Sequence, residues 1–471
     1  MAIDTKKISI GEAHELLVKK ELSVRELADT VLEKAKETES LKGYIELYDD
    51  IDVQVKTAQE KIDNGQASLL TGIPLALKDN ILRNGFLATA ASKILSGYKA
   101  SYDSTVVAVL KKENPLFMGR TNMDEFAMGG STERSCYGPS KNPYDEKRVP
   151  GGSSGGSAVV VATGAALASL GSDTGGSIRQ PASFTGLVGL KPTYGTVSRF
   201  GLMAMGSSLD QIGPFTKNVA DSRIMYNAIA TDDNAHDNTS VPQAKRIFTK
   251  TKNKKVAVPK DIINSEGIDP EVKKNFEETL TRLTKEGYEI VECDLPYLSY
   301  SLAAYYIVMP AESSTNLARF DGVRFGYKED GHDIKNLYEK TRGHGFGEEV
   351  RRRIILGNFV LSHGYYDAFY NKAEQFRAAL RDEINKVFAY ADVLATPTSP
   401  TPAFLIGEKT NDPLSMYLAD IFTVPANLTG MPAISVPSGK TTSGLPLGFH
   451  MTAPHFGESV LFEIGTIVER P

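Results

Sequence analysis

Apolar side chains recur at helical spacing close to the start of the chain. Ser23 and Glu26 have the three-residue spacing of a capping box, which marks the beginning of a helix. The apolar residues that follow fall on one helical face: Leu27, Ala28, Val31, Leu32 and Ala35. This pattern predicts amphipathic helices, and we assign residues 1–60 to an N-terminal helical layer.

Short apolar runs bounded by turn residues predict strands elsewhere. The first covers residues 73–78 and ends in Lys78. In the second half, a run at 256–259, a helical pattern at 271–283 and a run at 288–292 together predict a βαβ-like unit. Further strand candidates follow at 392–395, 433–436 and 447–451. Strands that alternate with helices indicate the α/β fold class, with a mixed multi-stranded sheet flanked by helices.

Two glycine turns that carry serines are the most informative feature of the chain. Residues 151–156 are Gly-Gly-Ser-Ser-Gly-Gly, and residues 175–177 are Gly-Gly-Ser. Glycine permits a positive φ and close approach of a ligand, so each turn presents a serine hydroxyl beside accessible N–H groups. The small apolar residues between the turns are predicted to form a single buried helix. Two serines held in such turns indicate covalent acyl chemistry.

Composition and charge argue against one functional class, the nucleic-acid-binding proteins. The chain has 471 residues, of which 41% are hydrophobic and 24% are charged, as in an ordinary globular protein. Its net charge is −5, so strong binding of nucleic acid by this chain alone is not expected.

The cysteines and the N-terminal segment indicate a cytoplasmic location. Cys136 and Cys293 lie far apart and form no CxxC pair, so neither a disulfide framework nor a zinc site is expected. The N-terminal residues lack the apolar core of a signal peptide, and no run approaches the ~18 apolar residues of a spanning helix. We therefore expect neither secretion nor insertion into a membrane.

Two familiar glycine motifs do not fit the chain. Residues 151–155 formally match the G-x-S-x-G nucleophile elbow, but that motif follows a strand, and the preceding residues 142–150 are polar and end in proline. No lysine follows these glycines as a phosphate-binding loop requires. The nearest such string, at 438–441, has Ile434 in place of the first glycine and Pro437 within the loop.

The turn serines need a base, and a lysine is the stronger candidate. None of the seven histidines lies in a recognisable catalytic or metal-binding motif. Burial of Lys78 at the end of a strand would disfavour its ammonium form and lower its pKa toward neutrality. Considered alone, a lysine in this position is more often a snorkelling side chain, and that alternative stays open at this point.

The motifs around three residues together resemble the amidase signature family. Lys78 stands in IPLALKDN, Ser153 in GGSSGGS and Ser177 in GSDTGGSIRQPA. The resemblance implies the amidase signature fold and a Ser-cisSer-Lys triad. In this triad Ser177 is the nucleophile, Ser153 follows a cis peptide bond and Lys78 is the base. We also expect an oxyanion hole at the backbone N–H groups of the turn from Thr174 to Ser177, which includes those of Gly175 and Gly176.

The same resemblance organises the whole chain, residues 1–471, as one amidase domain. Residues 61–225 would form the signature core, and residues 231–254 a polar loop with few large apolar side chains. Residues 255–471 would complete the sheet and the substrate pocket.

Three C-terminal motifs resemble the glutaminase subunits of the glutamyl-tRNA(Gln) amidotransferases within that family. They cover residues 311–322, 346–354 and 412–427. By this resemblance Arg353 binds the α-carboxylate of glutamine, and Asp420 binds its α-ammonium group. The other substrate-binding residues that it implies are Tyr305, Met128, Gly129 and Gly130. A structural ion pair is the alternative for either charge.

The resemblance also implies partners and cofactors outside the chain. A larger subunit (GatB) would bind the misacylated tRNA and use ATP and Mg²⁺, and a small subunit (GatC) would wrap the interface. This chain would hold no cofactor and no metal ion. It would hydrolyse glutamine and supply ammonia for the conversion of Glu-tRNA(Gln) to Gln-tRNA(Gln).

Two alternatives from other functional classes remain open on the sequence. A stand-alone amidase that acts on other carboxamides would keep the triad without the charge pair. A non-enzymatic binding module would use the glycine turns only as an anion nest. One departure from the family is visible at His450, where the family commonly has glutamine, and the following residues 452–454 also depart from its usual turn.

Overall fold

An eleven-stranded sheet forms the centre of the computed structural model, which describes residues 3–248, 253–263, 267–410 and 412–470. Its strands are β1 (Tyr44–Leu47), β2 (Pro74–Lys78), β3 (Leu116–Thr121), β4 (Ala168–Asp173), β5 (Val188–Lys191), β6 (Gln211–Thr216), β7 (Lys255–Pro259), β8 (Glu289–Cys293), β9 (Val393–Pro397), β10 (Ala433–Lys440) and β11 (Pro446–Thr452). Their order across the sheet is β1-β3-β2-β4-β6-β5-β10-β11-β9-β7-β8. β2 pairs in parallel with β3 and β4, as β7 does with β8 and β9, and the other neighbours are antiparallel.

Helices connect these strands. Those within the described ranges are α1 (Ile10–Val18), α2 (Val24–Glu37), α3 (Ile51–Asp63), α4 (Thr105–Glu113), α5 (Gly155–Ala162), α6 (Arg179–Thr185), α7 (Val219–Ile229), α8 (Lys260–Ile263), α9 (Pro270–Lys285), α10 (Ser301–Asn316), α11 (Ile334–Gly345), α12 (Glu348–Leu361), α13 (Asn371–Phe388), α14 (Pro413–Leu418), α15 (Val424–Thr429) and α16 (Glu458–Val468). None of these helices combines the length and the apolar character needed to cross a bilayer.

The helices cover both faces of the sheet. Successive residues of a strand point to opposite faces. On β7, Val256 packs in an apolar cluster with side chains of α9 and α16, whereas Ala257 packs in a second cluster with side chains of α10 and α13. The predicted α/β class, with a mixed sheet between two helical layers, is confirmed.

The predicted capping box at the start of α2 is confirmed. Ser23 Oγ accepts a hydrogen bond from Glu26 N, and the Glu26 carboxylate accepts one from Ser23 N. The first 60 residues are not purely helical, however, because β1 forms the edge of the sheet and pairs with β3. This strand, Tyr44–Leu47, is only four residues long and partly exposed, and it was not predicted from the sequence.

The prediction of a single buried helix between the glycine turns is wrong. The segment forms α5, ends it at a turn where Gly164 has a φ of +79°, and then forms β4. Both elements are buried on all sides, so their small apolar residues show neither the 3.6-residue nor the two-residue period. Because the segment leaves the helix and enters the sheet beside β2, the second turn lies next to the end of β2.

The strand predictions in the second half are confirmed. β7, α9 and β8 form the βαβ unit with β7 and β8 parallel, and β9, β10 and β11 overlap the three later candidates. The polar segment 231–254 contains the short helical turn Gln243–Lys245 and is otherwise irregular, while its residues 249–252 lie outside the described ranges. Asp233 in this segment is buried and accepts hydrogen bonds from Thr105 and Ser198, so part of it is packed against the core.

Candidate active site

Three segments of the chain meet at one edge of the sheet. Lys78 is the last residue of β2, and the neighbouring parallel strand β4 leads directly into the turn 174–177. The carboxyl ends of neighbouring parallel strands lie at the same edge. The turn 151–154 precedes α5 and lies beside these ends, because Ser154 N donates a hydrogen bond to the Ser177 carbonyl at 3.3 Å.

Lys78 is fully buried at this edge. Its Nζ atom lies 2.8 Å from Ser153 Oγ, 2.9 Å from Ser172 Oγ and 3.2 Å from the Ser172 carbonyl oxygen. A snorkelling lysine keeps its ammonium group in water, whereas this side chain has 0% exposure, so that alternative is wrong. Burial lowers the pKa of Lys78 to about 7, against the opposing negative charges of Asp124 and Asp173.

Both turn serines are buried, and the turns that carry them contact each other. The peptide bond between Gly152 and Ser153 is cis, and both Ser153 and Ser177 are buried, with 8% of Ser177 exposed. Within the described ranges, Ser177 Oγ makes no hydrogen bond to Ser153 Oγ. Catalytic hydrogen bonds are often long or poorly aligned before substrate binds. The structure thus joins Lys78 to Ser153 directly, and it links the two serine turns through the hydrogen bond from Ser154 N to the Ser177 carbonyl.

A buried aspartate fixes the first turn. Asp124 N donates to the Ser153 carbonyl, and the Asp124 carboxylate accepts the N–H groups of Ser131 and Thr132. A Cβ atom at Gly152 would lie 2.2 Å from Asp124 Oδ2, and one at Gly129 would lie 2.4 Å from Asp124 Cγ. These two glycines are therefore needed to make room for the carboxylate.

Gln180 ties the first turn to the segment at Gly130. Its Oε1 atom accepts Gly152 N at 3.0 Å, and its Nε2 atom donates to the Gly130 carbonyl at 2.8 Å. Gly151, with a φ of +86°, brings its backbone so close that a Cβ atom would lie 2.4 Å from Gln180 Oε1. A side chain from α6 thus holds the Ser153 turn against the predicted substrate-binding segment.

A fully buried ion pair holds the second turn in place. Asp173 binds Arg179 through both carboxylate oxygens, at 2.9 and 3.0 Å, and also accepts the N–H groups of Gly176 and Ile178. Although burial favours the neutral acid, Arg179 holds the pKa of Asp173 far below its usual range. The carboxylate therefore stays ionised and fixes the backbone on both sides of Ser177.

This arrangement corrects one of the predicted oxyanion donors. Gly176 N is not available, because it donates to Asp173 Oδ1 at 2.9 Å. The N–H groups of Thr174, Gly175 and Ser177 make no hydrogen bond to any residue that the structure describes. Of the predicted donors, the N–H groups of Thr174, Gly175 and Ser177 are therefore the available ones.

The predicted pocket residue Tyr305 lies against the second turn. A Cβ atom at Gly175 would come within 2.8 Å of the Tyr305 hydroxyl, and one at Gly176 would come within 2.2 Å of Thr423 Oγ1. Thr423 Oγ1 donates to the Gly175 carbonyl at 2.6 Å. Both glycines are thus required by side chains that approach the turn from α10 and from the segment before α15.

Arg353 takes part in an ion pair and still keeps donors free. Its Nε atom donates to Glu349 Oε1 at 2.8 Å, and its Nη1 atom lies 3.5 Å from the Met309 sulfur. Nη2 makes no hydrogen bond within the described ranges. Although Glu349 is buried, the charge of Arg353 lowers the pKa of its carboxyl to about 2. The structural ion pair proposed as the alternative is therefore present, and it occupies one edge of the guanidinium.

Asp420 presents a carboxylate without a partner. Its oxygens form no hydrogen bond and no salt bridge with any described residue, and the side chain is only half-buried. Burial and the charge of Asp173 raise its pKa to about 8, against the opposing charge of Arg353. A cation bound beside this carboxylate would therefore stabilise its ionised form.

The segment 128–130 would line the predicted substrate pocket mainly with its backbone, because two of its three residues are glycines. Met128 is fully buried in an apolar cluster with Val308 and Val350. A Cβ atom at Gly130 would lie 4.0 Å from Asp420 Oδ2, so this glycine borders the free carboxylate. Within the described ranges, no group of three or more His, Cys, Asp or Glu side chains could hold a metal ion.

The supporting residues Asp124, Asp173, Gln180 and Glu349 were not predicted from the sequence. Asp173 and Arg179 stand within the motif that carries Ser177, so their proximity to the turn was available as a signal. Glu349 lies four residues before Arg353 on a helical pattern, which is the spacing of an ion pair. No local signal links Gln180 with Gly130.

Comparison with known proteins places the chain in a family. Residues 26–462 match the family model named Amidase. The A subunit of the glutamyl-tRNA(Gln) amidotransferase of Halothermothrix orenii is 48% identical over 98% of this chain and 97% of its own length. The corresponding A subunit of Thermodesulfovibrio yellowstonii is 47% identical over 99% of this chain and 98% of its own length.

Solved structures agree with this placement. The crystal structure of the glutamyl-tRNA(Gln) amidotransferase A subunit from Thermotoga maritima matches with a TM-score of 0.81 and 42% identity, over 100% of this chain and 96% of that chain. An amidase crystal structure matches with a TM-score of 0.83 at 29% identity, over 98% of this chain and 99% of that chain. The predicted fold and the predicted resemblance are both confirmed, and the chain belongs to the amidase family, within which it groups with the A subunits of glutamyl-tRNA(Gln) amidotransferases.

Proposed function

We propose that this chain is the glutamine-hydrolysing component of a glutamyl-tRNA(Gln) amidotransferase. The observation that carries the proposal is its near full-length similarity to the A subunits of such enzymes, at 47 to 48% identity. The site supports it, because a buried lysine contacts one turn serine and a second turn serine lies beside free N–H donors.

The contacts of Lys78 fit a neutral amine. Such an amine has two N–H donors and one lone pair. The Ser172 carbonyl and Ser172 Oγ can accept the two N–H groups, which leaves the lone pair directed at the Ser153 hydroxyl, 2.8 Å away. Lys78 then accepts the Ser153 proton while Ser153 accepts the proton of Ser177.

The proposed reaction is an acyl transfer through Ser177. Its Oγ atom attacks the side-chain carbonyl carbon of glutamine, and the N–H groups of Thr174, Gly175 and Ser177 bind the oxyanion that forms. As the C–N bond breaks, the proton returns from Lys78 through Ser153 to the leaving nitrogen, and ammonia departs. Water then attacks the acyl-enzyme by the same proton route, which yields glutamate and restores Ser177.

Arg353 and Asp420 select a free amino acid in this proposal. The Nη atoms of Arg353 that Glu349 leaves free bind the α-carboxylate, and the unpartnered Asp420 carboxylate binds the α-ammonium group. Tyr305 and the backbone of Gly129 and Gly130 would complete the pocket.

Removing either charge is expected to weaken glutamine binding. We expect Arg353→Ala and Asp420→Asn each to raise the KM for glutamine by about ten- to a hundredfold, since losing a charged hydrogen bond typically costs ~1.5–3 kcal/mol. The KM of the wild type should also rise as pH falls below about 8, because Asp420, with its raised pKa, becomes protonated and loses its attraction for the ammonium group. Steady-state glutaminase kinetics across pH measure both effects.

Arg351→Ala is the matched control, because this arginine lies on the same helix and is exposed. Its KM should stay within about twofold of the wild type, as for surface positions in general. A thermal melt of Arg353→Ala checks that the buried Glu349 left behind has not unfolded the chain. An unchanged KM in both pocket variants would overturn the pocket assignment.

The remaining parts of the transamidation lie on partners in this proposal. A larger subunit (GatB) binds the tRNA, activates its glutamyl carboxyl with ATP and Mg²⁺ and receives the ammonia, and a small subunit (GatC) wraps the interface. This chain works in the cytoplasm without a cofactor of its own.

Reconstitution tests the proposal directly. The chain is combined with the partner subunits from the same cell, and glutamine-dependent formation of Gln-tRNA(Gln) from Glu-tRNA(Gln) is measured. A stand-alone amidase would instead hydrolyse simple carboxamides faster than glutamine and give no glutamine-dependent product with the partners. A binding module would release no ammonia from any amide.

A further inference from the structure

His450 lies inside the fold, behind the turn 174–177 that carries Ser177. It belongs to β11, is 1% exposed and is not part of the proposed proton route. Its Nε2 atom lies 2.9 Å from Arg179 Nη1, and its Nδ1 atom lies 3.2 Å from Thr396 Oγ1 on β9. The imidazole thus bridges a strand of the sheet and the arginine of the buried ion pair.

The partner on the Nε2 side decides the protonation state of the ring. A guanidinium group has only donors, so the nitrogen that faces Arg179 must carry a lone pair. The ring is therefore neutral, with its proton on Nδ1, where it is directed at the Thr396 hydroxyl. Burial, and then the positive charge of Arg179, lower the pKa of His450 well below its usual value.

Arg179 connects this imidazole with the backbone around Ser177. The guanidinium uses Nε for Asp173, Nη2 for Asp173 and Asn427 Oδ1, and Nη1 for the Thr423 carbonyl and His450. Asp173 in turn holds the N–H groups of Gly176 and Ile178, the residues on either side of Ser177. The orientation of the guanidinium plane therefore sets the position of the turn.

We propose that His450 is a positioning residue, a neutral imidazole protonated at Nδ1 that accepts a hydrogen bond from Arg179 and thereby fixes the turn 174–177. The kinetic part of this proposal rests on the proposed glutaminase function, whereas the protonation state of the ring does not.

The charges around the ring oppose its protonation on balance. Arg179 from α6 and Lys191 from β5 disfavour a second proton on His450, and Asp173 from β4 opposes them. A protonated ring would place an N–H group against the Arg179 guanidinium. The hydrogen bond would then be lost, and the guanidinium would be pushed toward a new position.

Nuclear magnetic resonance of ¹⁵N-histidine-labelled protein tests the ring directly. The signals of His450 are assigned by their absence in His450→Gln. We expect a ring with the proton on Nδ1 and a bare Nε2, which does not titrate while the chain stays folded. A ring protonated at Nε2, or one that titrates at its ordinary pKa, would overturn the proposal whether or not the chain hydrolyses glutamine.

Two substitutions test the positioning role. Glutamine can accept from Arg179 through Oε1 and donate to Thr396 through Nε2, so His450→Gln should keep kcat within about threefold. His450→Leu fills a similar volume with an apolar side chain but offers no hydrogen-bond acceptor. Its kcat should therefore fall about tenfold or more, while the KM for glutamine stays near the wild-type value. This split would not follow from a general loss of folded protein, which lowers the apparent kcat of both variants according to their folded fractions measured by circular dichroism.

Two kinetic outcomes contradict the proposal. If His450→Leu is folded and keeps the wild-type kcat, the acceptor does not position the turn. If His450→Gln is as inactive as His450→Leu, then the hydrogen-bonding pattern is not what the site requires. If the wild type itself releases no ammonia from glutamine, the proposed function fails, and the resonance experiment still decides the state of the ring.

Discussion

Replacing Ser177 with alanine is expected to abolish glutamine hydrolysis while leaving ammonium-dependent amidation intact. Without the hydroxyl no acyl-enzyme forms, and loss of a nucleophile of this type typically lowers kcat by about 10⁴-fold or more. The partner subunits still activate the tRNA carboxyl in the proposed complex, so added ammonium should replace glutamine. The measurements are ammonia release by the chain and product formation in the reconstituted complex with either nitrogen source.

Ser183→Ala is the matched control for this loss. Ser183 is also buried and lies on α6, the helix that follows the nucleophile turn, but it is not part of the turn. Its glutaminase rate should remain within a few-fold of the wild type. Trapping of a covalent glutamyl adduct in Ser177→Ala, seen as a mass shift of the intact chain, would show that another residue is the nucleophile.

The parts of the fold that local patterns specify were predictable from the sequence. The capping box of α2 is a contact between residues three apart, and β2 ends at Lys78 because its short apolar run ends there. Two glycine turns at fixed spacing also located the site, because glycine is needed where a carboxylate or a side chain approaches the backbone closely.

The parts that depend on distant contacts were not predictable. A helix followed by a strand replaced the single predicted helix, because both elements are buried on every side and lose their period. Gly176 was predicted as an oxyanion donor, but its N–H group already donates to Asp173. Only the folded turn reveals this contact. The free edge of Arg353 is likewise determined by Glu349, and so by how α12 packs.

Replacing Lys78 with arginine or methionine is expected to lower the glutaminase rate by about 10²- to 10⁴-fold, the range that a general base contributes. Arginine keeps the positive charge but does not give up its proton, and methionine keeps the approximate volume but has no lone pair of comparable basicity. Neither side chain can accept the Ser153 proton across the 2.8 Å contact that Lys78 makes. Single-turnover rates of acyl-enzyme formation measure the effect, and thermal melts show whether the larger arginine is tolerated in this fully buried position.

The pH profile of kcat then separates a base from a structural support. Because burial lowers the pKa of Lys78 to about 7, the neutral amine predominates above that pH, and kcat should fall as pH drops through it and the ammonium form accumulates. Lys191 provides the control, since its pKa is also lowered to about 7 by burial and then by Arg179, but its Nζ atom contacts the Pro192 carbonyl and not a turn serine. Lys191→Met should therefore keep the same fall in kcat at low pH. If Lys78→Arg retains most of the wild-type rate, or if the fall disappears in Lys191→Met, the proton of Ser153 passes to a group other than Lys78.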